Sequence, residues 1–121
     1  MEILGLFTLF ALKHLIADYY TQNSWMIKDK GSYGAWGGVA HAKLHGLFTF
    51  IILLLYVNPL TAFLFGALDS IIHYHIDYVK SNFWKSRNLG PADQMYWVVH
   101  GTDQFLHIMT YVLIILLGVA L

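Results

Sequence analysis

The sequence has no cysteine, only two prolines and little charge. Without cysteine it has no disulfide framework, no thiolate metal site and no thiol nucleophile. The 7 Lys and Arg are balanced by 7 Asp and Glu. A net charge of zero excludes nucleic acid as a partner gripped through its phosphate backbone. Charged residues make up 12% of the chain, against roughly 25% in a soluble domain. An uninterrupted apolar run of about 18 residues, the simplest mark of a membrane span, is also missing. So is the pattern of a secretory leader, since Glu2 stands where a basic residue belongs and no small-residue cleavage motif follows.

Apolar residues fill 58% of the 121 positions, which excludes a disordered chain and leaves room for one domain. Phe50 to Val57 and Tyr111 to Leu121 are apolar all the way round a helix rather than along one stripe, which fits lipid better than water. The expected fold is all-α: an integral membrane four-helix bundle, up-down-up-down with short loops, forming a single transmembrane domain over 1–121. Its helices lie at about 2–22, 39–57, 60–84 and 92–121, separated by a Gly-rich charged loop, the Asn58-Pro59 turn and the Lys85 to Pro91 loop. Lys28, Lys30, Lys85 and Arg87 fall in the first and third loops, with Trp25, Trp36, Trp84 and Trp97 close by. The positive-inside rule then puts the basic loops in the cytoplasm and both termini outside an inner membrane.

Each expected helix carries one His at 13 or 14 residues from its uncharged end: His14, His45, His73 and His107. Four residues toward the basic end follow Asp18, His41, Asp77 and Asp103. An i,i+4 pair shares one helix face, and four residues of rise separate the two layers by about 6 Å. Eight such groups cannot face lipid, where one charge at mid-membrane costs about 2.5–3.5 kcal/mol on insertion scales. Turned inward, five imidazoles and three carboxylates make a nitrogen and oxygen donor set for one or two divalent transition metal ions, zinc first, with iron or manganese as alternatives. Gln22, Asp69, Lys80 and Gln104 stand where they can hydrogen-bond or pair with those ligands. Asp103 or Asp18, if not needed as a ligand, is the candidate general base.

The same residues carry a resemblance. His14-Leu-Ile-Ala-Asp18-Tyr-Tyr-Thr-Gln22, His41-Ala-Lys-Leu-His45, His73-Tyr-His-Ile-Asp77-Tyr-Val-Lys80 and Asp103-Gln104-Phe-Leu-His107 follow one another along the chain. Together they resemble the motifs of a bacterial and phage membrane family, domain of unknown function 3307. That family is distantly similar to membrane-bound metal-dependent hydrolases. The resemblance implies a metal site and assigns no reaction.

The expected function is metal-dependent hydrolysis of a lipid or amphipathic (phospho)ester, with membrane lipids as surroundings and a lipid-like molecule as substrate. Two alternatives stand beside it: a metal-stabilised accessory subunit of a larger membrane complex, or homo-oligomer, and an ion- or proton-conducting bundle.

Overall fold

A computed structural model describes residues 2–120. Five α-helices account for most of them: α1 (Glu2–Leu15), α2 (Ser24–Asp29), α3 (Trp36–Leu53), α4 (Pro59–Ser86) and α5 (Gln94–Ile115). There is no strand among the described residues. Two π-helical turns extend the set, Ile16–Tyr20 after α1 and Leu116–Ala120 after α5.

Local chemistry sets several of these boundaries. The Asn58 side chain accepts a hydrogen bond from the Thr61 amide at 2.9 Å, and Pro59 occupies the first helical position, where its missing N–H costs nothing. Asn23 caps α2 in the same way, accepting from the Met26 amide at 3.0 Å. Past α4, Asn88 takes a positive φ of 51°, a conformation that Asn tolerates better than most residues.

The elements depart from the expected ones in four places. The first helix does not run regularly to Gln22: it widens into a π turn at Ile16 and ends at Tyr20. The first loop contains the short helix α2, and α3 starts at Trp36 and stops at Leu53. The last helix starts at Gln94, and its expected final residue, Leu121, lies outside the described residues. Four membrane-crossing helices were expected, yet among the described residues only Glu2–Tyr20 and Gln94–Ala120 are long and apolar enough by themselves. The reason lies in α3 and α4, which carry His41, Lys43 and His45, and Asp69, His73, His75, Asp77 and Lys80.

α1 packs on α3 and α5, α4 packs on the same two helices, and α2 lies against α3. The α3–α4 contact is the closest. A Cβ at Gly46 would sit 2.5 Å from the Gly66 carbonyl oxygen, and one at Gly66 would sit 2.8 Å from that of Gly46. Only glycine permits backbones to approach this way. The interior is segregated along its length. At one end Leu6, Phe10, Leu53, Ala62, Tyr111, Ile114 and Ile115 form an apolar cluster. Beyond it the buried positions are mostly polar and include His41, His45, Thr49, Asp69, His73, Asp77, Asp103 and His107, with Lys13 and Lys30.

Candidate metal centre

The polar interior is assembled from i,i+4 faces on α3, α4 and α5 and from the end of α1. The π turn carries Asp18 inward, and the Thr21 amide bonds the Ile16 carbonyl five residues back at 3.0 Å. Such insertions are frequent at functional sites because they re-aim a side chain without ending the helix.

The five imidazoles turn their Nε2 atoms toward the carboxylates. Asp18 Oδ1 lies 2.8 Å from His45 Nε2 and 3.1 Å from His41 Nε2, and Asp18 Oδ2 lies 3.2 Å from His14 Nε2. Asp77 Oδ2 lies 3.1 Å from His73 Nε2 and 3.4 Å from His41 Nε2, and Asp77 Oδ1 lies 3.2 Å from His107 Nε2. His41 Nε2 and His73 Nε2 face one another at 3.2 Å. The rings of His45 and His73 stack at 3.6 Å between centroids, and those of His73 and His107 at 4.0 Å.

Two groups of side chains here could hold a metal ion: Asp18, His41, His45 and His73, and His73, Asp77 and His107. Within each group the ligating atoms all lie within 4.8 Å of one another. Four ligands around a tetrahedral ion with bonds of about 2.0–2.1 Å stand about 3.3 Å apart. The measured nitrogen–oxygen and nitrogen–nitrogen separations straddle that value. The buried Nδ1 atoms of His41 and His73 have no hydrogen-bond partner. His45 Nδ1 is 3.2 Å from Lys13 Nζ, which also reaches the His45 carbonyl at 3.3 Å. Lys13 therefore keeps an acceptor whichever ring nitrogen of His45 holds the proton.

His14 and Asp103 fall outside both groups. The Gln104 amide donates to Asp103 Oδ2 at 2.9 Å, which turns its oxygen toward His14 Nε2 at 2.8 Å. Tyr111 donates its hydroxyl proton to His14 Nδ1 at 2.7 Å. Both nitrogens of His14 are thus engaged by hydrogen bonds. Asp103 Oδ2 also accepts from Lys80 at 3.1 Å, while its buried Oδ1 has no hydrogen-bond partner.

The supporting residues bond the candidate ligands directly or through one further side chain. Gln22 lies past the helix, and its amide folds back to donate to the Asp18 carbonyl at 2.9 Å. Lys80 pairs with Asp103 rather than with Asp77, its neighbour on α4. Asp77 pairs instead with Lys30 at 3.1 Å, a residue of the first basic loop that is buried. Asp69 reaches the ligands through Lys13, which stands 3.2 Å from His45 Nδ1. It accepts from Lys13 and Thr49, both at 2.6 Å. His75 is exposed and bonds Tyr33 at 3.0 Å.

Lys13, Thr49 and Tyr111 thus belong to the polar network as well. Thr49 and Tyr111 continue the faces of His45 and His107 by one more i+4 step, a signal the sequence carries. Lys30 sits in a loop, where no periodicity marks a side chain as inward.

The three buried carboxylates each have a lysine: Asp69 has Lys13, Asp77 has Lys30 and Asp103 has Lys80. Asp18 has none. Its charged contacts among the described residues are three imidazoles. A carboxylate largely withdrawn from water needs a compensating charge, and in direct contact with Asp18 a protonated ring or a cation would supply it.

An all-helical chain whose interior gathers two metal-competent His and Asp groups is the class that this fold and site define. The chain belongs to the family described as "Protein of unknown function (DUF3307)", matched over residues 6–121. No curated protein and no solved structure matches it.

Proposed function

We propose that this is an integral membrane metal-dependent hydrolase of a lipid or amphipathic (phospho)ester. In this reading the four long helices form one transmembrane bundle, with the basic end toward the cytoplasm and both termini outside. The exposed positions support it. Leu4, Leu12, Leu47, Phe63, Ile71 and Leu106 face outward while Lys13, Asp69, Asp77 and Asp103 face in, as expected where the surroundings are lipid. Away from the helix ends the exposed charge is Lys43 on α3, whose long stem can carry its ammonium toward the interface.

The observation that carries the metal reading is the convergence of His41, His45 and His14 on Asp18, a half-buried carboxylate with no lysine paired to it. His73 belongs to both groups; assigned to the second, it leaves two sets of two His and one Asp: His41, His45 and Asp18, and His73, His107 and Asp77. Three protein ligands with an open position are the pattern of catalytic zinc and of non-haem iron sites. A bound ion would lower the pKa of a water toward about 7 and polarise the ester oxygen.

The protein's own groups do the rest. Asp103 Oδ1 is buried, accepts no hydrogen bond and has His107 Nε2 beside it at 3.5 Å, so it is the oxygen placed to take a proton. Lys80 and Gln104 hold the other oxygen and fix the carboxylate's orientation. Asp18, with both oxygens engaged by imidazoles, serves as ligand and not as base. The apolar cluster around Leu53 and Ile114 closes the far end and argues against a conducting path.

The test is turnover of lipid phosphoesters by purified protein in neutral detergent. Asp103→Asn should lower the rate about a hundredfold or more, within the range for a lost general base, and retain its metal. Wild-type protein that holds metal but turns over no ester would leave the accessory-subunit reading.

A further inference from the structure

A cavity of about 520 Å³ opens next to the metal-competent groups, between the first loop, the end of α4 and the start of α5. Lys28, Lys30, Lys80 and Lys85 line it, and no carboxylate does. Four of the chain's 7 basic residues thus face one space. Lys30 and Lys80 hold Asp77 and Asp103, so they connect the cavity to a candidate ligand and to the candidate base. Lys28 and Lys85 are exposed and have no carboxylate partner among the described residues.

Two further observations point to a polar ligand. The Trp84 Nε1 donor and the Gln22 Oε1 acceptor are buried without partners, and both residues line this cavity. The Trp84 ring is held flat by stacking on Tyr96 at 3.9 Å. Beside the cavity, an apolar groove of about 430 Å³ runs between α4 and α5 past Ile76, Val79, Phe83 and Leu106. Lys80 lines both spaces, and Asp103 lines the groove.

We propose that the site takes the phosphate ester of a long-chain alcohol, its phosphate among the four lysines and its chain in the α4–α5 groove. This rests on the hydrolase reading and names its substrate class. An acidic head needs unpaired cations and N–H donors, and a tail needs an apolar channel that starts at the same place. The head–tail junction then falls at Lys80 and Asp103. Hydrolysis forms a bond from the water oxygen to phosphorus and breaks the bond from phosphorus to the alcohol oxygen. Asp103 takes the water proton and passes it to the departing alkoxide, releasing phosphate and alcohol.

The experiment is binding of monododecyl phosphate, and separately of inorganic phosphate, to the full chain in neutral detergent. Tryptophan fluorescence and phosphorus NMR report it in metal-loaded and chelator-treated protein. Saturable binding of the alkyl phosphate is expected. It should weaken about tenfold or more in Lys28→Gln/Lys85→Gln, whose exposed sites leave the fold alone, and in Trp84→Phe, which keeps the ring and loses the donor. Inorganic phosphate should bind at least tenfold more weakly.

Unchanged alkyl phosphate binding in all of these variants overturns the proposal. So does inorganic phosphate binding equally well, which would make the ligand a free anion. Metal-dependent turnover of phosphate-free esters with no alkyl phosphate binding would remove this inference and leave the hydrolase. Lysine-dependent binding to a protein that never holds metal would do the reverse.

Discussion

On α3, Leu53 and His45 are about two helical turns apart, yet the interior around them is built on different principles. Leu53 packs among Leu6, Phe10, Ala62 and Ile114, where contacts are non-directional and a neighbour of similar volume serves as well. His45 has Asp18 on one ring nitrogen, Lys13 near the other and the His73 ring stacked at 3.6 Å. Each of those contacts needs one atom at one place. The apolar end should therefore tolerate substitution, and the polar end should transmit it, because removing one partner strands another.

The sharpest contrast is at Lys13 and Asp69, buried and paired at 2.6 Å. Lys13→Met leaves the Asp69 charge with Thr49 alone and should cost about 3–5 kcal/mol, read as unfolding in mixed detergent micelles. Lys13→Met/Asp69→Leu should recover most of that loss. Additive losses in the double variant would contradict the picture of a pair. By comparison Leu53→Met, a volume-conserving swap at the apolar end, should cost less than about 1.5 kcal/mol and leave metal affinity unchanged.

Asp18→Asn comes next. It removes the one carboxylate compensated only by imidazoles, and metal affinity should fall by more than the 10–100-fold typical of outlying hydrogen-bond partners. Gly46→Ala sets a Cβ against the Gly66 carbonyl and should cost about 1–3 kcal/mol by forcing α3 from α4. The measurement is thermal unfolding in detergent, and an unchanged midpoint would mean that the helices have slack there. The smallest effect belongs to His14→Gln. His14 lies outside both ligand groups and is held by Tyr111 and Gln104, so the variant should keep its metal with an affinity change of about tenfold or less. Complete loss of metal would make His14 a ligand.

Much of this was legible in the sequence because helices repeat. His41 and His45, His73 and Asp77, and Asp103 and His107 occupy i,i+4 positions on one face, and a face rich in ionisable groups has to turn inward in an apolar chain. The same spacing continues outward to Thr49, Asp69 and Tyr111, which form the Lys13 and His14 contacts. Three features were not legible. The π turn at Ile16–Tyr20 obeys no periodicity in the sequence. The short helix α2 lacks the length for a pattern. Lys30 is drawn inward by Asp77, a partner 47 positions away along the chain. Lys80 shows the same limit, since its spacing favours Asp77 while packing gives it to Asp103 across the α4–α5 contact.

Whether a cation occupies the Asp18 group can be read by elemental analysis of the full chain, purified in neutral detergent without a histidine tag and without added metal. One or two transition metal ions per chain are expected in the wild type, with Asp18→Asn folded but depleted. A wild-type protein that is folded, active and free of transition metal would mean that a protonated imidazole balances Asp18 and that the site is a hydrogen-bonded network alone.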